Sequence, residues 1–75
     1  MSEAHLQSDE ILVNGEAHAL PAGGALTALI AEHGLSGKRL AVAINREVVP
    51  RSTWADRTIE PGDRVEILEA VGGGA

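Results

Sequence analysis

The chain has 75 residues, no cysteine, one Phe/Tyr/Trp-class residue (Trp54) and a formal net charge of −5 from 11 acidic and 6 basic residues. One small domain fits this length, and its core must be aliphatic; disulfides, thiolate metal sites and side-chain thiols for carrying sulfur are all excluded. The acidic balance and the lack of an aromatic stacking platform argue against nucleic acid as a partner.

Residues 1–9 carry no usable hydrophobic period and read as a flexible leader, polar and acidic and unlike a secretory signal. Glu10 to Val13 is rich in β-formers and meets Asn14-Gly15, the strongest short hairpin signal. Glu16 to Leu20 returns as a second strand ended by Pro21. Ala22-Gly23-Gly24 is a loop, with Gly24 only a modest N-cap for a helix over Ala25 to His33. On that helix Leu26, Leu29 and Ile30 share a face, and Gly34 suits the left-handed position that closes it.

A third strand covers Ala41 to Asn45, with Val42 and Ile44 on one face and Ala41 and Ala43 on the other. Arg46-Glu47 would turn the chain into a short strand at Val48-Val49, ended by Pro50. Ser52 to Asp56 reads as one irregular helical turn, in which Thr53 and Asp56 match a capping pattern. Pro61-Gly62-Asp63 is a turn with proline and glycine at their favoured positions. Arg64 to Val71 is the last strand, and Gly72-Gly73-Gly74-Ala75 forms a tail that should be mobile.

This order predicts an α+β fold of the β-grasp type. A mixed sheet of about four to five strands is covered on one face by one helix, with the domain spanning residues 10–71 and the tail 72–75. The expected core is Ile11, Val13, Leu29, Ile30, Val42, Ile44, Val65 and Ile67. Glu69 breaks the inward alternation of Val65, Ile67 and Val71. Leu68, Ala70 and Val71, with Ala41 and Ala43, make a candidate docking patch at the root of the tail.

The other candidate features carry little chemistry. His5, His18 and His33 lack metal-ligand spacing. Trp54 reads as a packing residue and Arg51 as a local surface residue. Gly23-Gly24 is not a phosphate loop, and Ser52, His33 and Asp56 have no nucleophile motif around them. No apolar run is long enough to span a membrane, and nothing directs the chain out of the cytoplasm. No paired carboxylates or metal cluster suggest an enzyme.

Five stretches carry a resemblance to a known family: Ile11 to Gly15, Ala41 to Asn45, Val48-Val49-Pro50-Arg51-Ser52-Thr53-Trp54, Gly62 to Ile67, and the closing Ala70-Val71-Gly72-Gly73-Gly74. Together they resemble the ThiS family of ubiquitin-like sulfur carriers, over roughly residues 10 to 74. The Val-Pro-Arg-x-x-Trp stretch is the most specific.

The resemblance implies that the last glycine carboxylate is adenylated with ATP by an E1-like (ThiF-type) adenylyltransferase. It is then converted to a thiocarboxylate with sulfur from a donor protein. It finally delivers that sulfur to a ThiG-type thiazole synthase for thiamin thiazole synthesis. The carrier holds no cofactor and catalyses nothing. Gly74 and Gly73 are the residues expected to serve, with Gly72 adding reach. Ala75 departs from the Gly-Gly ending of the family, so its removal by a protease is expected before activation, the alternative being that Ala75 is tolerated and activated directly. Rival readings are a carrier for another pathway, such as molybdopterin or an amino acid, and a ubiquitin-like protein modifier.

Overall fold

The computed structural model describes residues 9–70; the leader before Asp9 and the tail from Val71 onward lie outside them. Five strands and one α-helix appear: β1 (Glu10–Val13), β2 (Glu16–Ala19), α1 (Leu26–Glu32), β3 (Leu40–Ile44), β4 (Glu47–Val48) and β5 (Arg64–Glu69), with 3₁₀ segments at Ala22–Gly24 and Arg51–Asp56. The sheet order is β2-β1-β5-β3-β4. Only β1 and β5 run parallel; the other neighbours are antiparallel. The long crossover between these two parallel strands carries the rest of the chain, so the last strand ends up in the middle of the sheet.

The two-residue period of the strands decides which side is buried. Ile11, Val13, Val42, Ile44, Val65 and Ile67 point to the helix face and meet Leu26, Leu29 and Ile30 of α1 in one cluster. Every residue of the expected core lies in it. Trp54, read as a packing residue, joins it, and Val49 and Ile59, which were not expected there, complete it.

Helix α1 falls within one residue of expectation at each end. Ala25, not Gly24, is its N-cap, without a side-chain bond. Its C-terminus is closed as anticipated: Gly34 at φ 70 donates to Ala31 O (2.9 Å), and Leu35 N donates to Ile30 O (3.0 Å). That is the Schellman pattern, with Leu35 packed back on the core.

Both tight hairpins use positive φ at two consecutive residues, as type I′ turns require. The first is Asn14 (φ 51) and Gly15 (φ 88), and Asn14 also clamps β5 by exchanging two bonds with Ile67. The second is Asn45 (φ 52) and Arg46 (φ 71), one residue earlier than the expected turn at Arg46-Glu47. The pairing of Ile44 with Glu47 explains the shift, because it places Glu47 in β4 and leaves Val49 beyond it.

An arginine at φ 71 carries a strain that glycine does not, so Arg46→Gly should raise stability by about 0.5–1 kcal/mol. A rise in the denaturant midpoint at unchanged slope checks this, and a fall would contradict it.

The expected capping box at Thr53 and Asp56 does not form. The Thr53 hydroxyl donates to Pro50 O (2.8 Å), and Pro50 is the N-cap of the 3₁₀ segment.

Candidate functional site

Strand β5 brings the chain to the root of the tail. Its final turns of register pair Ala41 with Leu68 and Leu40 with Glu69. Ala70 N then donates to Arg39 O (2.9 Å). Glu69, the odd residue in the alternation, is exposed and pairs with Lys38 Nζ at 3.5 Å instead of entering the core. Arg51 ties Lys38 from behind through its carbonyl (3.4 Å). Ala70, the last described residue, is therefore anchored at the end of β5.

The helix-free face brings together Leu68, Ala41 and Ala43 of the expected patch. Leu68 is 70% exposed, and a shallow groove of about 180 Å³ is lined by Ala41, Val42, Ala43, Val48, Glu66 and Leu68. Ala41 faces Leu68 across the β3–β5 ladder, and Ala43 faces Val48 across the β3–β4 ladder. Val48, 77% exposed, is a patch member that sequence reasoning missed. Reading Val48-Val49 as one apolar pair hid the alternation that sends Val49 inward and Val48 outward. Ala70 is exposed at the end of the same strand but does not line the groove. Val71, Gly72, Gly73, Gly74 and Ala75 lie outside the described residues.

These small side chains shape the groove. With alanines at the centre, the two large apolar residues stand proud on either side of a shallow trough. Val48 and Leu68 are the exposed large hydrophobic residues among those described, and they share one face. Such clustering sets the patch apart from singly scattered apolar residues.

The Val-Pro-Arg-x-x-Trp stretch proves to be architecture. Val49 is buried, and its N–H donates to Val42 O (2.8 Å). Pro50 starts the 3₁₀ segment, and Arg51 lies over the Trp54 ring at 4.9 Å. The Trp54 indole is 7% exposed and donates Nε1–H to Val49 O (2.9 Å). Trp54 and Arg51 thus have the packing and surface roles expected of them.

His18 and His33 stack at 4.9 Å beside Glu32, each with Nδ1 on a backbone carbonyl. No group of three metal-ligating side chains comes together among the described residues. No described helix is long and apolar enough to cross a membrane.

The ThiS family model matches residues 11–74. The chain belongs to the ThiS family. Its relatives include the sulfur carrier protein ThiS of Escherichia coli, 31% identical over 65 residues, covering 87% of this chain and 98% of that protein. A thiazole synthase of Paramagnetospirillum magneticum is 35% identical over 66 residues, which is 88% of this chain and 20% of the relative. A second, from Magnetococcus marinus, is 34% identical over 65 residues, again 20% of its length. The chain therefore spans about a fifth of these thiazole synthases. The crystal structure of a thiamine biosynthesis protein (ThiS) from Geobacter metallireducens superposes with a TM-score of 0.70 at 28% identity, covering 87% of this chain and 99% of that one. The β-grasp reading of the sheet and helix agrees with that structure.

Proposed function

We propose that this ThiS-family chain carries sulfur on a C-terminal glycine, Gly74, for the thiazole of thiamin. The observation that carries the reading is the family match running through Gly74 on a fold whose last strand emerges beside an uncovered apolar groove. The thiazole synthase relatives, which contain a homologous segment, support thiazole formation as the destination.

The chemistry follows from the terminal carboxylate, which is ionised at neutral pH given a reference pKa of about 3.3–3.7. As an anion it is a poor electrophile. One of its oxygens attacks the α-phosphorus of ATP in an E1-like enzyme, pyrophosphate leaves, and an acyl-adenylate forms. Hydrosulfide released by a donor protein then attacks the acyl carbon, the bond to AMP breaks, and loss of the proton leaves the thiocarboxylate. Four residues beyond Ala70 reach at most about 13–14 Å, so the body must dock closely for Gly74 to enter the nucleotide site. Glycines at Gly72, Gly73 and Gly74 present no Cβ to a narrow channel. Ala75 is removed before the first step.

Mass spectrometry of the protein recovered from cells tests the reading. The expected product ends at Gly74 and shows one oxygen replaced by sulfur. Lysine-linked conjugates without that replacement would instead identify a protein modifier.

The docking groove gives a second test. Leu68→Glu should weaken binding to the E1-like enzyme about tenfold or more and leave folding stability within about 0.5 kcal/mol, because the side chain is exposed. A large loss of stability with unchanged binding would remove Leu68 from the interface.

A further inference from the structure

Arg46 and Arg64 lie on an open groove of about 360 Å³ with Leu12, Asn45 and Gly62. Both are exposed, and among the described residues neither guanidinium is within ion-pair distance of a carboxylate; the close pairs are His18–Glu32 and Lys38–Glu69. The adjacent acid, Asp63, is already engaged, accepting from Asn45 Nδ2 (3.0 Å) and from Glu60 N (2.8 Å). Two uncommitted cations side by side stand out on a chain of net charge −5.

Arg46 also holds φ 71, while the corresponding second turn position of the other hairpin is filled by Gly15. Strain kept at an exposed side chain points to a use for that side chain.

Arg64 opens β5 and Glu69 closes it, so the basic corner and the root of the tail lie about 17 Å apart along one strand. Arg64, Glu66 and Leu68 share the helix-free face by alternation. The apolar groove thus lies between the basic corner and the C-terminal end of β5.

We propose that Arg46 and Arg64 are positioning residues that engage carboxylates on the enzyme that adenylates the C-terminus and set the orientation in which the carrier docks; this rests on the carrier reading above. Apolar contact is non-directional, so the groove alone leaves the carrier free to rotate on its partner. Charges at one end of the face fix the register and speed the encounter. Because the rest of the chain is acidic, an acidic partner surface attracts it in that one orientation. A small anion fits less well: the groove is open, and the backbone N–H groups of Gly62 and Arg64 already donate to Glu10 O (2.8 Å) and Asn45 Oδ1 (3.0 Å).

The double variant Arg46→Asn/Arg64→Gln removes both charges and keeps a side chain that tolerates the turn. Its association with the purified adenylating enzyme is measured at low and high salt, beside native protein and Leu68→Glu. The double variant should associate about tenfold more slowly at low salt with a flattened salt dependence, while its dissociation rate stays within about twofold. Leu68→Glu should chiefly raise the dissociation rate. Unchanged association and salt dependence in the double variant, with Leu68→Glu still weakened, would overturn the role of the arginines and leave the docking reading intact. If neither variant differs from native, the docking face itself is wrong. An effect confined to thiazole synthase, or native binding displaced by inorganic phosphate at constant ionic strength, would equally overturn the assignment.

Discussion

A chain cut back to end at Gly72 should form no detectable thiocarboxylate, while its unfolding transition stays where it was. Removing Gly73, Gly74 and Ala75 withdraws the reacting carboxylate by about 7 Å from the place Gly74 would occupy. Misplacement of a reacting group by even 1 Å can cost about a hundredfold in rate, and no side chain could extend to compensate. Stability should not change, because the core and the last described backbone bond, from Ala70 to Arg39, precede the cut.

A matched chain ending at Gly74 separates this effect from the fate of Ala75. It should be charged directly by the adenylating enzyme and ATP, whereas the 75-residue chain should require trimming first. Thiocarboxylate found on Ala75 of the intact chain would refute the trimming step. Normal charging of the chain ending at Gly72 would refute the carrier terminus itself.

The parts of the fold that were legible in the sequence are those set by local chemistry. Asn14-Gly15 and Pro61-Gly62 dictate turns through the φ values they accept, and both turns form. In the second, Asp63 N donates to Glu60 O at 3.1 Å. Period-two alternation through β3 and β5 placed Val42, Ile44, Val65 and Ile67 inside, and Ala41 and Leu68 outside.

What local chemistry does not set was missed. Ile59 sits alone between polar neighbours, without a period to mark it. It is buried because its loop returns to the start of α1, where Ala25 bridges Thr58 and Ile59 N donates to Gly24 O (2.6 Å). The turn at Asn45-Arg46 was misplaced because Asn45 was read as the last residue of β3, whereas the pairing of Ile44 with Glu47 ends the strand one residue earlier. Strand β4 is two residues long, too short to display alternation. The candidate site was legible in the same uneven way: the groove floor followed from strand pairing, but Val48 and the basic corner at Arg46 and Arg64 depend on the exact register of the β3–β4 turn.

Gly24 is where this return contact should give the largest stability effect of a methyl group added at a described glycine. It lies at φ 68, and a Cβ built there would stand 2.8 Å from the Ile59 carbonyl oxygen, a backbone atom that cannot rotate away. Gly24 O also accepts the Ile59 N–H, and Leu26 N donates to Arg57 O (3.3 Å), so neither strand of this contact can shift without breaking a bond. Gly24→Ala should therefore cost about 2–4 kcal/mol, from left-handed strain of about 1 kcal/mol plus overpacking of about 1–3 kcal/mol.

Gly23→Ala supplies the control. Gly23 has nearly the same dihedral, φ 65, but nothing lies within 4 Å of its built Cβ. It should lose only the strain, about 1 kcal/mol or a melting-point drop of about 4–8 °C, with Gly24→Ala losing two to four times as much. For a domain this small, the larger loss removes a substantial part of a total stability of about 5 kcal/mol. Equal melting points for the two variants would mean that strain alone governs both sites and that the Ile59 return contact is not tightly held. A wide gap would show that the loop after Trp54 is seated on the start of α1 as firmly as a strand in the sheet.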